Sequence, residues 1–357
     1  MGRQGEQEGL SAYDRVPYPG HPFSQTHPDR LATVATLFGL RPAPPDGCRV
    51  LELGCGDGGN LVPMAYGLPE STFVGIDLSE RAIERARGLA DALGLTNVRF
   101  EAGDLSAAHG EFDYVIAHGV YSWVPAAARD ALLAACHSCL APDGVAYVSY
   151  DVLPGGHLRE ITRQMLRWHL RDVEAPEERI AGARELLRLV ADAGQVQAER
   201  ALEQGDAALF HDELAPHHEA VLFTNFVAHA GAHGLRFLAE ADVFEMDASV
   251  LPDALAQDPI AREQYLDFFK GRMFRQTLLS HAGASLHPGG LDVVREMLAA
   301  TPARQVSDGE FQGPHGATLK TDSEVVTAAL ARLGEAWPAR LPVASLGDEP
   351  VVAETLR

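Results

Sequence analysis

The sequence lacks the features that would assign it to a membrane, to nucleic acid or to an oxidising compartment. It has no run approaching the roughly 18 apolar residues that a spanning helix needs. Residues 1–12 are polar and hold no apolar stretch of the secretory kind. Cysteine is scarce, with only Cys48, Cys55, Cys136 and Cys139. The last two form a C-x-x-C pair inside a helical pattern, and no second pair completes a zinc site, so they read as core residues. Basic residues are also few: 29 Lys and Arg stand against 50 Asp and Glu, a net charge of −21. No block of about five basic residues occurs. Such a surface repels phosphate backbones and anionic lipid. The expectation is a cytoplasmic protein with no nucleic-acid and no membrane partner. With 357 residues, 46% of them hydrophobic, the chain can build more than one cored domain.

What the chain does have is a glycine loop in a strand–loop–helix–strand frame. Val50-Leu51-Glu52-Leu53 runs into Gly54-Cys55-Gly56-Asp57-Gly58-Gly59-Asn60, and a second hydrophobic run ends at Asp77. That frame holds an adenosine-containing cofactor. Glycine lets the backbone approach closely and adopt angles other residues avoid. Asp77 is placed to accept hydrogen bonds from both ribose hydroxyls. Gly54, Gly56 and Gly59 also fit the dinucleotide pattern, but two carboxylates argue against NAD. Glu52 lies inside the strand, and Asp57 stands where a pyrophosphate would lie. A cationic sulfonium cofactor with an amino-acid tail suits an acidic loop better.

The frame then repeats. Asn97–Asp104 is a short strand ending in an acid, with Asp104 placed to meet an adenine amino group. Phe112–Gly119 is a fourth strand. Val145–Tyr150 is a fifth, after the turn Ala141-Pro142-Asp143-Gly144. Residues 27–153 resemble the class I S-adenosylmethionine-dependent methyltransferases, in Glu52-Leu53-Gly54-Cys55-Gly56 with Gly58, in Asp77, in Gly103-Asp104, in Phe112-Asp113 and in Leu140-x-Pro142-x-Gly144. The resemblance implies a Rossmann-like α/β sheet of seven strands. It implies S-adenosylmethionine as cofactor, with Gly54, Gly56 and Gly58 toward the methionine part, Asp77 on the ribose and Asp104 on the adenine. Glu52, Leu78, Leu105 and His118 complete the expected cofactor contacts.

Outside that core, residues 1–31 form an aromatic, proline-rich arm, with Thr26 as a candidate cap for a helix starting near Pro28. The arm either lies over the active-site face or straps the outside of the domain. The catalytic core is expected over 32–156 and 235–286, with Leu235–Ala241 and Met273–Leu279 as its last strands. Residues 157–234 read as three or four helices inserted as a lid; the other reading is a separate helical domain. Residues 287–357 form a small α+β module: helix Leu291–Ala299, an extended stretch Arg304–Thr321, and helix Ser323–Leu333 capped by Asp322 or Thr321. Three segments, Tyr13–Pro28, His118–Pro125 and Asp267–Leu279, extend the resemblance to methyltransferases that carry a so-called regulatory domain. Relatives of that kind include enzymes that methylate lysine side chains.

Residues just past the fourth strand lie beside the methyl group in such a frame. His118, Tyr121 and Trp123 are therefore candidates, His118 as a base with a pKa near neutrality. Tyr150 and Asp151 end the fifth strand and are expected to face the same cleft, where Asp151 can orient an ammonium or a hydroxyl. Tyr13 and Tyr18 can wall a channel for a lysine. His211, Asp212, His217 and His218 invite a metal reading, but Pro216 interrupts any helix between them, and no metal is expected. The leading reading is methyl transfer to a protein or peptide side chain, with lysine the candidate acceptor. The alternatives are a small-molecule methyltransferase and a non-catalytic S-adenosylmethionine-binding protein.

Overall fold

The computed structural model describes residues 15–352, apart from Pro288, His315, Asp348 and Glu349. Tyr13 and the rest of 1–14 lie outside the described residues, as does 353–357. The chain divides into two units, one holding 42–284 with the arm up to residue 32, the other holding 33–41 with 285–357.

In the first unit the hydrophobic runs become β1 (Arg49–Leu53), β2 (Thr72–Asp77), β3 (Val98–Ala102), β4 (Phe112–Ala117), β5 (Leu140–Asp151), β6 (Leu235–Glu240) and β7 (Phe274–His281). They form one seven-stranded sheet in the order β3-β2-β1-β4-β5-β7-β6. The first five strands run parallel, while β7 is antiparallel to β5 and to β6. Helix α1 (Pro28–Leu37) starts where the sequence suggests, and α2 (Leu61–Gly67), α3 (Glu80–Ala92) and α4 (Ala126–Cys139) follow β1, β2 and β4. Ser79 caps α3 by accepting from the Ala82 amide. Cys136 and Cys139 are buried, free thiols in the sheet's apolar cluster.

Two local expectations need correction. The turn at Ala141–Gly144 lies inside β5, where the register to β4 jumps from Phe112↔Leu140 to Tyr114↔Val145. Thr26 does not cap α1. Its hydroxyl donates to the Phe23 carbonyl at 2.8 Å and meets the buried Asn60 side chain, while the His27 ring accepts from the Asp29 amide.

After β5 come α5 (Gly156–His169), α6 (Pro176–Asp192), α7 (Val196–Leu202) and a π-helical turn, Leu209–Glu213. They share an apolar cluster of their own, built on Leu166, Leu187, Ala198 and Leu209. The next helix, α8 (Phe223–Ala232), belongs elsewhere. Its stripe of Phe223, Phe226 and Ala230 is buried, and Phe226 stacks on Tyr150 of β5 with centroids 3.9 Å apart. The helical insertion thus ends near Leu214 rather than at 234, because α8 covers the sheet.

The second unit holds α10 (Leu291–Arg295), a small antiparallel sheet of Arg304–Ser307, Glu310–Gln312 and Thr318–Lys320, and α11 (Glu324–Ala336). Phe311 packs on Val326 and Leu330 of α11. Helix α10 stops at Arg295, and Leu298–Ala299 instead pairs with Leu341–Pro342. Ser323, not Thr321 or Asp322, caps α11, its hydroxyl accepting from Val326 N.

The segment Asp267–Leu279 is explained by a buried charge network. Helix α9 (Pro259–Lys270) places Glu263 and Asp267 against Arg275 of β7. Arg275 also donates to Glu240 at 2.6 Å and lies 4.0 Å over the Phe223 ring. Burial pushes the Asp267 carboxyl up to about 6 despite this cation. Removing the cation would take from three buried acids the guanidinium they share, leaving Asp267 with Arg272 at 3.2 Å and Glu263 with Arg262 at 3.5 Å and Arg272 at 3.9 Å. Arg275→Ala is therefore expected to cost about 3–5 kcal/mol of unfolding free energy, read by denaturant titration; a loss well under 1 kcal/mol would contradict this role.

Candidate active site

Steric demand shapes the glycine loop first. Gly54, Gly56 and Gly58 all have positive φ, at 77°, 54° and 78°. A Cβ at Gly54 would meet Val120, and one at Gly58 would meet Phe100, whereas the space beside Gly56 is open. The loop is tied to the next strand, because Asp77 Oδ2 accepts from Gly56 N and Oδ1 from Ser79 N, both at 2.9 Å. Each carboxylate oxygen keeps a second lone pair for a ligand hydroxyl. Beside it Leu78 is 73% exposed, a large apolar side chain held open next to the acid. Asp104 follows β3, its carboxylate held below its ordinary pKa by the Ser106 hydrogen bonds, and Leu105 adjoins it.

Glu52 has the partner that its position in β1 demanded. Asn60 Nδ2 donates to Glu52 Oε1 at 2.7 Å, and Oε2 is buried with no partner. Burial raises the Glu52 carboxyl to about 8. The other end of Asn60 accepts from Phe23 N at 2.9 Å. Nearby, Gly20 crosses directly over Gly59: a Cβ on Gly20 would lie 2.1 Å from Asp57 Oδ1 and 2.8 Å from Gly59 Cα. The arm therefore lies over the glycine loop, the first of the two readings given above.

The arm also reaches the helical insertion. Tyr18 meets the His211 ring edge-on at 5.7 Å, and the Val16 carbonyl bonds the same ring. Burial and the Asp212 charge raise the Tyr18 pKa. Around it stands a dense polar cluster. Arg159 of α5 pairs with Asp151 at 3.5 Å, Asp212 at 3.4 Å and Glu213 at 3.1 Å. His218 donates to Asp151 Oδ2 at 2.6 Å and lies 3.4 Å from Glu160. Trp123 packs on His218 at 4.6 Å, with the Arg159 and Arg163 guanidiniums each 5.2 Å from its ring. Four carboxylates thus face two guanidiniums. Burial pushes Asp212 up to about 6.

The structure brings Tyr18, Trp123 and Asp151 into one region and leaves the other candidates out. Successive residues of a strand point to opposite faces. Tyr147, Ser149 and Asp151 share one face of β5, and Tyr150 takes the other, buried against Phe226 with its hydroxyl on Thr277. Tyr150 therefore does not share a cleft with Asp151. Tyr121 is also on that far side, buried, its hydroxyl 2.8 Å from His229. His118 sits between, its Nδ1 2.9 Å from the Tyr147 hydroxyl and its ring 3.8 Å from Phe23. Burial pushes its pKa down to about 4, not near neutrality. Asn60, Arg159, His218 and Gly20 were not among the expected site residues. The only sequence signals for them were the place of Asn60 directly after the glycine loop and the histidine-rich stretch that holds His218.

Residues 44–195 match the family model described as a methyltransferase domain, and 205–281 match that of a predicted methyltransferase regulatory domain. The chain belongs to the class I S-adenosylmethionine-dependent methyltransferases that carry this regulatory domain. The protein RP789 of Rickettsia prowazekii is 37% identical over 289 residues, 75% of this chain and 52% of that protein. RP028 of the same organism is 37% identical over 184 residues, 51% of this chain and 74% of that protein. The chain thus spans about half the length of RP789. The structure of PKMT2 from Rickettsia typhi in complex with AdoHcy superposes with a TM-score of 0.82 at 27% identity, covering 96% of this chain and 72% of that one. No helix among the described residues is long and apolar enough to cross a membrane.

The loop fits the family's cofactor. The open space at Gly56, the orphaned Glu52 oxygen and the exposed Leu78 face suit a molecule with a cationic amino-acid end and a flat base. A charge-assisted hydrogen bond is worth about 1.5–3 kcal/mol. Asp77→Asn is therefore expected to weaken S-adenosylhomocysteine binding by about ten- to a hundredfold in calorimetry. An unchanged Kd would remove Asp77 from the cofactor site.

Proposed function

We propose that this methyltransferase acts on the side-chain amine of a lysine in a protein. One observation carries the reading: the acidic, aromatic cluster of Tyr18, Trp123, Asp151, Asp212 and His218, where the arm meets the helical insertion. Four carboxylates against two guanidiniums favour a cationic guest, and an aromatic face adds cation–π attraction. The likeness to PKMT2, a rickettsial protein lysine methyltransferase, supports it.

When bound, S-adenosylmethionine supplies an electrophilic methyl group on a sulfonium. The chain's own residues aim the acceptor and exclude water. His218 and Arg159 both meet the Asp151 carboxylate at Oδ2. Oδ1 is assigned to the incoming amine, and His218 keeps the carboxylate from turning. Tyr18 and Trp123 wall the stem of the side chain. The Tyr18 wall is fixed because Pro17 and Pro19 hold the arm extended and Gly20 is seated on Gly59, two residues or about 7 Å away along the chain.

A lysine amine has a reference pKa of about 10.4 and must lose its proton before attack. His118, with a pKa near 4, is neutral throughout the range from about pH 6 to 9 and does not titrate there. The wild-type rate is expected to rise about tenfold per pH unit over that range, and His118→Gln is expected to keep the same slope. A flat wild-type profile would exclude a protonated acceptor. A slope lost in the variant would restore His118 as the base.

Transfer of labelled methyl from S-adenosylmethionine to size-fractionated host proteins tests the acceptor class directly. Label is expected in protein as methyl-lysine, and Asp151→Asn is expected to lower it by about a hundredfold while cofactor Kd holds. Label confined to small molecules would overturn the reading.

A further inference from the structure

On the side of the sheet away from the acceptor cluster, three side chains converge from segments far apart in sequence. His229 lies in the last turn of α8 and His233 directly follows that helix, one turn later on the same side. Asp130 projects from α4. His229 Nε2 lies 2.8 Å and His233 Nε2 3.4 Å from the same oxygen, Asp130 Oδ1. The three candidate ligand atoms all lie within 4.8 Å of one another. In a tetrahedral zinc site with Zn–N near 2.0–2.1 Å, neighbouring ligand atoms stand about 3.3 Å apart. Small side-chain rotations bring these three to that spacing.

We propose that Asp130, His229 and His233 bind a divalent cation of the zinc class. Two imidazoles and a carboxylate form a borderline-soft donor set, suited to zinc and poorly suited to magnesium or calcium. The helix C-terminus at His233 carries the negative end of the α8 dipole, which favours a cation. The outer shell is already built. His229 Nδ1 is 2.8 Å from the Tyr121 hydroxyl, which fixes the ring. The Tyr121 ring is wedged between Tyr150 and Phe226, with Arg129 5.3 Å from its centroid. The protons now shared between Asp130 and the two rings give way to the metal. Each neutral ring binds through Nε2 and carries its one proton on Nδ1, which in His229 is donated to the Tyr121 oxygen. Asp130 is more than half exposed, so the fourth position opens to water. The ion pins α8 to α4 and, through Tyr121 and Tyr150, braces the back of β5, whose opposite face carries Asp151.

Calorimetry of the whole chain with ZnCl2, and Co2+ absorption as a spectroscopic reporter, test the site. The expected result is one saturable site per chain, tetrahedral d–d bands with Co2+, and a melting temperature that rises with Zn2+ and falls back with EDTA. MgCl2 is expected to do neither. Asp130→Asn and His233→Asn are expected to abolish the site, and Tyr121→Phe to weaken it by about ten- to a hundredfold. All three ligands are partly exposed, so the two ligand variants should fold; circular dichroism confirms it. No saturable Zn2+ binding by the wild type, or binding that survives in folded Asp130→Asn and His233→Asn, overturns the proposal.

Discussion

The buried hydrogen bond between Asn60 and Glu52 organises the cofactor end of the molecule. A carboxyl at the end of a central parallel strand has no water to turn to, so it needs a partner or a proton. Asn60 gives it one amide hydrogen and uses its own oxygen on Phe23 N, with Thr26 alongside. One side chain therefore joins β1, the helix after the glycine loop and the arm. The arm's course follows from that anchor. With Phe23 fixed, Gly20 falls on Gly59, Phe23 covers His118, and Tyr18 reaches the helical insertion.

The second constraint is the two-residue period of β5. It separates two jobs that the linear sequence places side by side. Tyr147, Ser149 and Asp151 meet His118, the Gly119 amide and His218. Val148, Tyr150 and Val152 lie in the apolar cluster with Tyr121 and Phe226. Chemistry on the first face rests on packing on the second. The charge network around Arg275 holds β7, the strand that pairs with β5 on its outer side.

The glycine loop, the strands and the acids after β2 and β3 were legible because each is a local pattern: hydrophobic period, glycine spacing, an acid at a strand end. Parity was legible in principle and was missed when Tyr150 and Asp151 were given one cleft. Tyr121 was illegible because it sits in a short turn, where no period tells which way a side chain points. The pKa of His118 depends on its burial, and Phe23, one of the rings packed against it, arrives from the arm 95 positions earlier. His218 and Asp151 are 67 positions apart, and Arg159 and Glu213 are 54 apart, so nothing local marks either pair. The end of the insertion was misplaced because α8 is a helix like its predecessors, and only its contact with β5 shows that it belongs to the sheet.

The central claim is that the amine of a lysine is held at Asp151 between Trp123 and the Tyr18 of an arm seated on the glycine loop. A crystal structure of the chain with S-adenosylhomocysteine and a lysine-containing peptide tests it most directly. The lysine Nζ is expected within hydrogen-bond distance of Asp151 Oδ1, with its stem against Tyr18 and Trp123 and the Gly20–Gly59 contact intact. A peptide that binds with its lysine away from Asp151, or an arm lifted off the loop in the ternary complex, would contradict it.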